Sequence, residues 1–375
     1  MIPLCVPDFD DREKAAIEDV LKSGWLTHGP YNKEFEYKFA EYHGVKYAVS
    51  MNSCTSALFL ALKAQNITGE VIVPSFTFAA SANAIVTAGA KPVFADIDYG
   101  TCNIDPESVK AKITPDTEAI MIVHFGGQCC RMDEIMTIAE KNGLVVIEDS
   151  AETIGGEYKG KKAGSFATGC FSFFPTKNMT TGEGGMITTN DKDLAVKISA
   201  LIGHGIIKRE YERESDPMPW YRSASYPGYN FRMSNLLAAM GVVQLDKLNS
   251  MNERRIKNAC YLRSLIGDID EIEMPFEDVN CKHVFQMFTI KMKEYDRDEF
   301  VEDLRKKGVG ASVHFTPPVH LQEYYINTFG EQQLPVTEKV SNNILTLPLY
   351  PQIGNEKIDI IADAVRDTCA NLSNK

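Results

Sequence analysis

In the stretch FSFFPTKNMTTGEGGM, residues 171–186, one lysine, Lys177, stands between a run of aromatics and a glycine-rich turn. A solvated face is the ordinary place for a lysine. Aromatic neighbours desolvate the amine instead, which lowers its pKa and favours the free base that forms a Schiff base with a carbonyl. Two other stretches carry complementary chemistry. LVVIEDS (144–150) reads as a strand ending in Glu148, Asp149 and Ser150. A carboxylate there is either a ligand contact beyond the strand end or a turn and cap acid. MNSCTSALFLAL (51–62) sets small polar residues directly before an apolar helix. The free N–H groups and dipole of that helix point either at an anion or at an ordinary cap.

A recessed amine, a strand-end acid, an amide cradle and an aromatic to stack on form the set that pyridoxal phosphate (PLP) requires. Its aldehyde takes the lysine, its pyridine nitrogen the acid and its phosphate the amides.

The elements that must position these groups are legible as alternating runs. YAVSM (47–51), EVIVPS (70–75), KPVFADID (91–98), AIMIVHF (119–125) and LVVIEDS read as strands. Between them CTSALFLALKAQ, FAASANAIVTAG and MDEIMTIAEKNG have helical spacing, the last two closed by glycine. Runs apolar on both faces and separated by helices predict an α/β fold with a mostly parallel sheet, whose ligands sit at the carboxyl ends of its strands. FSFF followed by Pro175 reads as a short buried strand delivering Lys177 into a turn loosened by Gly182, Gly184 and Gly185. Near residue 251, MNERRIKNACYLRSLI begins a long helix that leaves this large domain (1–250) for a small α+β domain (251–375). In the latter, HVFQMFTIKM (283–292) and ASVHFTPP (311–318) are expected strands around the helix DRDEFVEDLRKKG. The polar stretch 208–230 is the longest expected loop.

At 375 residues the chain exceeds what one core supports, in keeping with two domains. Its net charge of −12 comes without blocks of like charge and argues against nucleic acid or an anionic membrane as partner. Nine scattered cysteines with no C-x-x-C pair speak against a metal site or disulfide framework and for a reducing compartment. The acidic start MIPLCVPDFDDREKAAIEDV lacks the features of a signal peptide, and no run of about 18 apolar residues occurs, so a cytoplasmic protein is expected.

The sequence resembles the DegT/StrS family of sugar aminotransferases within the fold-type I, aspartate aminotransferase-like PLP enzymes. The matching stretches are GWLTHGP (24–30), NSCTSAL (52–58), VPSFTFAASANAI (73–85), GAKPVFADID (89–98), VIEDSAE (146–152), CFSFFPTKNMTTGEGGM (170–186), GYNFRMSNLLAAMG (228–241) and LPLYP (347–351). The resemblance implies that Lys177 is the Schiff-base lysine and proton carrier, and that Asp149 pairs with the pyridinium nitrogen. It implies that Phe78 stacks on the ring and that Glu152 lies near the phenolic oxygen. The phosphate would meet the backbone at Cys54 and Thr55, the hydroxyl of Ser172, and Asn230 of the neighbouring subunit, which makes the protein a homodimer with shared sites. Relatives usually carry glycine where this chain has Cys54; a tolerated small residue at a backbone contact and a catalytic thiol are the two readings. Cys129 and Cys130 are expected to be buried bystanders.

Within the resemblance, relatives acting at carbon-3 of the sugar tend to read GxNSRLD where this chain has GYNFRMSN, and those acting at carbon-4 read close to GYNYRMT. The implied reaction moves an amino group from L-glutamate to a nucleotide-linked 4-keto-6-deoxyhexose, as in the perosamine synthase branch that serves lipopolysaccharide O-antigen biosynthesis. Amination of a 3-keto sugar, PLP-dependent dehydration and a non-catalytic regulatory role are the alternatives. In the dehydratases histidine replaces the lysine, so Lys177 opposes that reading. His28, Arg232, His314 and His320 are candidate substrate contacts, against core or turn positions for the histidines.

Overall fold

The structure is a computed structural model that describes all residues except 209–210, 212–216, 219, 294 and 374–375. Two capped helices, α1 (Asp11–Ser23) and α2 (Pro30–His43), precede the first strand, β1 (Tyr47–Met51). Helices and strands then alternate: α3 (Cys54–Ala64), β2 (Glu70–Pro74), α4 (Ala79–Ala88), β3 (Lys91–Ala95), α5 (Pro106–Lys112), β4 (Thr117–Val123), α6 (Met132–Asn142) and β5 (Val145–Asp149). A hairpin, β6 (Glu157–Tyr158) and β7 (Lys161–Lys162), leads to β8 (Thr168–Ser172), β9 (Gly185–Thr189) and α7 (Lys192–Leu201). The expected helix ends are present, since Gly89 and Gly143 adopt left-handed C-caps that close α4 and α6.

The main sheet has the order β1-β9-β8-β5-β4-β2-β3. Neighbours from β8 to β3 pair in parallel, and β9 alone is antiparallel to both β8 and β1. Six carboxyl ends, Met51, Pro74, Ala95, Val123, Asp149 and Ser172, therefore share one edge. A parallel sheet needs cover on both faces. One face packs α3, α4 and α7 residues such as Leu60, Ile85 and Ile198; the other packs α5 and α6 residues such as Val109 and Ile135.

The long helix Asn235–Ile266 starts 16 residues before the expected 251, capped by Ser234, whose Oγ accepts from Leu237 N at 3.4 Å. Its early turns (Val242, Leu248, Met251) pack on Phe35, Phe171 and Phe173, and its late turns (Ala259, Leu262, Ile266) enter a second core with Phe288, Leu304 and Leu347. That core covers an antiparallel sheet of β10 (Ile272–Glu273), β12 (Phe288–Met292) and β13 (Ile344–Leu347), while β11 (Cys281–Lys282) joins the β6–β7 hairpin.

Two expected strands differ. The 283–292 strand begins only at Phe288, because Phe285 has a positive φ of 42° that turns the chain. The 311–318 segment forms no strand; it makes one bridge, Ser312 to Thr346, before Pro317 and Pro318 remove ladder donors. The expected 208–230 loop lies partly outside the described residues. Among the described residues no helix is long and apolar enough to cross a membrane.

One glycine is required by close approach. A Cβ on Gly185, at the start of β9, would stand 2.4 Å from the Ser53 carbonyl and 2.6 Å from Cys54 N, at the mouth of α3. Gly185→Ala is expected to cost about 1–3 kcal/mol of stability and to weaken PLP binding as the helix start is pushed aside. Melting curves with and without PLP check both; an unchanged Tm and PLP affinity would contradict the packing.

Candidate active site

A cavity of about 430 Å³ opens at the carboxyl edge of the main sheet, walled on its other side by residues from the last third of the chain, among them His314, Thr346 and Leu349. The amino-terminal residues cross to it: Ile2 pairs with Val309, Leu349 N donates to Leu4 O at 3.3 Å, and Leu4 and Cys5 line the cavity.

Lys177 reaches this cavity from the turn after β8. Its own N–H donates to Phe174 O (3.0 Å), Asn178 Nδ2 donates to Asn252 Oδ1 (2.7 Å), and Gln286 Nε2 donates to Thr176 O (2.9 Å). The residues on both sides of the lysine, Thr176 through its carbonyl and Asn178 through its side chain, are thus tied to groups from the second region and the long helix. Its Nζ donates to Glu152 Oε1 at 3.3 Å, with side chains only 15% and 9% exposed, and Glu152 Oε2 accepts from Gly126 N at 3.2 Å. Of the aromatics before it, Phe173 is core and Phe174 lines the cavity.

Asp149 closes β5 and is 4% exposed. Ser81 Oγ donates to its Oδ2 (2.8 Å) and Ala151 N to its Oδ1 (3.1 Å), so it serves a turn and also lines the cavity. Burial pushes its carboxyl above the ordinary 3.8 despite these bonds. Neighbouring Glu148 alternates to the opposite face, as strand geometry demands, and is taken up there by the amides of Gly164 (2.8 Å) and Ala167 (2.7 Å) and by His124 Nε2 (3.2 Å).

The α3 mouth forms another wall. Ser53 Oγ accepts the Ser56 amide (3.1 Å), whereas the Cys54 and Thr55 amides of the first turn have no intrahelical acceptor. Ser172, at the end of β8, lines the same cavity, and Gly185 leaves the helix mouth open. Phe78, the N-cap of α4, is 67% exposed although it lines the cavity, so its ring face is free to cover a flat ligand. A cradle with free amides and a hydroxyl, a buried carboxylate, an open aromatic face and an amine fit PLP in every part.

Cys54 is buried, and burial pushes its thiol well above the ordinary 9.0, which keeps it protonated and removes the nucleophile that a catalytic thiol needs. Cys129 and Cys130 are buried with thiols raised for the same reason, as bystanders are.

Of the candidate substrate contacts, His314 lines the cavity, its Nδ1 paired with Thr346 Oγ1 at 2.8 Å and its pKa pushed below 6.5 by burial. His320 does not reach the cavity. It is 1% exposed, with Nδ1 on Ser75 Oγ (2.6 Å) and Nε2 near Glu338 Oε1 (3.3 Å), which makes it a packing residue in place of a substrate contact. His28 is likewise enclosed, 3.6 Å from Glu36, away from the cavity walls. Arg232 bridges Met51 through its backbone, and Asn230 bridges Gly203 and is exposed; neither lines the cavity of its own chain. Ser81, Gln286 and Thr346 were not singled out from sequence. Ser81 had a signal, sitting three residues after Phe78 in the quoted VPSFTFAASANAI stretch; Gln286 and Thr346 had none.

Fold and site together define a PLP-dependent aminotransferase of fold-type I. Residues 7–366 match the DegT/DnrJ/EryC1/StrS aminotransferase family, and the chain belongs to it. It is 41% identical to the spore coat polysaccharide biosynthesis protein SpsC of Bacillus subtilis, over 98% of this chain and 96% of that one. Among solved structures it resembles Helicobacter pylori PseC, an aminotransferase involved in the biosynthesis of pseudoaminic acid (TM-score 0.92, 29% identity, 98% of both chains). It also resembles the PLP form of the putative sugar aminotransferase Spr1654 from Streptococcus pneumoniae (TM-score 0.92, 28% identity, 99% of both chains).

Borohydride reduction of the PLP-loaded protein is expected to fix the label on Lys177, and Lys177→Ala to abolish transfer while PLP stays bound noncovalently. Peptide mapping that finds another lysine labelled, or turnover in the variant, would overturn that role. Asp149→Asn is expected to slow single-turnover transfer at least about 100-fold. Because the folded pKa of Asp149 is raised, the folded chain holds its proton longer than the unfolded chain. Its stability therefore falls as pH rises from 3.8 through the raised value. Cofactor-free Asp149→Asn escapes that loss and is expected to melt no lower than wild type at neutral pH; a clearly lower Tm would contradict the burial argument.

Proposed function

We propose that the protein moves the amino group of L-glutamate onto the ketone of a nucleotide-linked 4-keto-6-deoxyhexose, giving a 4-amino-4,6-dideoxy sugar nucleotide. The observation that carries this reading is the joint placement of Lys177, Asp149 and the α3 mouth around one cavity large enough for a cofactor and a sugar. Support for the sugar comes from SpsC, a spore coat polysaccharide biosynthesis protein, and from PseC, an aminotransferase involved in the biosynthesis of pseudoaminic acid. The position of the ketone rests on GYNFRMSN and its likeness to carbon-4 enzymes.

When bound, PLP supplies an aldehyde for the amine and a ring that accepts the electrons left on the carbon beside nitrogen. In this reading Asp149 Oδ keeps a proton on the ring nitrogen, held in orientation by Ser81 and Ala151. Lys177 Nζ would take the proton from the amino-acid carbon and return it two bonds away, to the carbon on the other side of the nitrogen, and would later run the same shift in reverse on the sugar. Glu152 is the first station for that amine, 3.3 Å distant. Phe78 covers the ring and excludes water. Neutral His314 lines the substrate side of the cavity and can give or take a hydrogen bond without adding charge.

In this reading Asn230 completes the phosphate cradle of a neighbouring subunit, which makes the working unit a homodimer. Arg232 follows it and offers a guanidinium to a substrate phosphate or carboxylate. In this reading a large domain (1–250) and a small domain (251–375) flank the cavity, which residues of both stretches line, and the nine unpaired cysteines accord with work in the cytoplasm.

A panel of GDP-, UDP- and dTDP-linked 4-keto and 3-keto deoxysugars, each with glutamate, tests the reading. Mass spectrometry is expected to find the amino sugar with a 4-keto substrate. Turnover confined to 3-keto sugars, or loss of water in place of gain of nitrogen, would sink it.

A further inference from the structure

Gln286 belongs to none of the roles above, yet its side chain sits beside the lysine turn. It lines the cavity, is 8% exposed, and donates through Nε2 to the carbonyl of Thr176 at 2.9 Å, one residue before Lys177. A carbonyl only accepts, so the amide NH2 must face Thr176 and the carbonyl end must face elsewhere. That other end, Oε1, is buried with no hydrogen-bond partner among the described residues. A buried acceptor left unpaired in a cavity wall is satisfied when a ligand brings a donor.

The residue is also held rigidly. Val284 N donates to Gly127 O (3.0 Å) and Met287 N to Gly126 O (3.1 Å), so the backbone on both sides of Gln286 is fixed on the 126–127 turn. A Cβ on Gly127 would stand 2.7 Å from Phe285 N and 2.8 Å from Gln286 N, which shows how closely the two backbones meet. The same turn gives its Gly126 amide to Glu152, the partner of Lys177. Amine, carboxylate, turn, Gln286 and Thr176 therefore form a closed ring of contacts in which Gln286 Oε1 is a buried acceptor left unpaired.

We infer that Gln286 is both a positioning and a substrate-recognising residue: its Nε2 fixes the backbone that carries Lys177, and its Oε1 accepts an N–H or O–H donor of the bound substrate. This rests on the cavity being the aminotransferase site. Both substrates of such an enzyme carry donors, the amino group of the amino acid and the hydroxyls of the sugar.

The test uses the PLP-loaded enzyme with Gln286→Leu, which loses both functions, and Gln286→Glu, which keeps size and an acceptor but sets an oxygen against Thr176. One readout is the pH midpoint of the bound cofactor's absorbance near ~420 nm, which follows the lysine. The other is KM, for L-glutamate in its half-reaction and for the keto sugar in the return half. Both variants are expected to move the midpoint. Gln286→Leu is expected to raise KM about tenfold, and Gln286→Glu to hold it within about threefold of wild type. A rise for glutamate alone assigns the amino acid, for the sugar alone a hydroxyl, and for both the reacting amino group they share. An unmoved midpoint in both variants, or unchanged KM for both substrates in Gln286→Leu, overturns the inference. If Gln286→Leu does not fold, the midpoint of Gln286→Glu decides. The absorbance and the glutamate arm need no sugar, so a wild type that ignores every keto sugar overturns the preceding reading alone.

Discussion

The structure is organised around keeping a lysine amine inside a cavity wall without letting it become an ordinary surface charge. Lys177 and Glu152 are nearly enclosed, and a pair of opposite charges out of water holds only where geometry is fixed. That fixing comes from far apart in the chain. Thr176, Asn178 and Glu152 are tied to Gln286, Asn252 and Gly126, so the amine is stationed by the second region and the long helix as much as by its own strand. Removing the tie to Thr176 would leave the residue before the lysine unheld by the second region, with Asn178 on Asn252 and the local bond to Phe174 still in place.

The sheet supplies the other half of the constraint. Parallel pairing from β8 to β3 sends Ser172, Asp149 and Val123 to one edge, and the antiparallel β9 brings Gly185 back against the α3 mouth at that edge. Alternation along β5 then divides the labour of two adjacent acids. Glu148 is consumed by three donors as a structural clamp, whereas Asp149 is left with two bonds and a raised pKa. A cation brought against Asp149 would relieve that cost, which is the electrostatic logic of pairing it with a protonated ring nitrogen.

Much of this was legible in the sequence because it is local. Apolar runs between glycine-closed helices report the parallel sheet, and the residues of the cofactor cradle lie within a few positions of strand ends, where such sheets place ligands. What was hidden is what depends on non-local closure. His314 and His320 share one motif, VHFTPPVH, and nothing in it says that His314 meets the cavity while His320 is taken by Ser75 and Glu338. The expected strand at 311–318 fails because two prolines outweigh its β-forming residues. Gln286 sits in what read as an unbroken strand, and only the positive φ at Phe285 turns its side chain to another use.

The long helix shows the same division at larger scale. Its apolar residues announce a helix from 251 onward, but its first turns begin at Asn235, because Ser234 caps it and Met251 and Leu248 are needed under Phe171 and Phe173. One rigid element thus packs beneath the strand that precedes the lysine and, farther along, inside the second core. Asn252, midway along it, donates to Ile154 O (3.0 Å) and accepts from Asn178, next to Lys177. A helix bonded to the lysine turn at its centre and packed in two cores fixes the place of that turn relative to both, so the station of Lys177 depends on residues far from it in the chain.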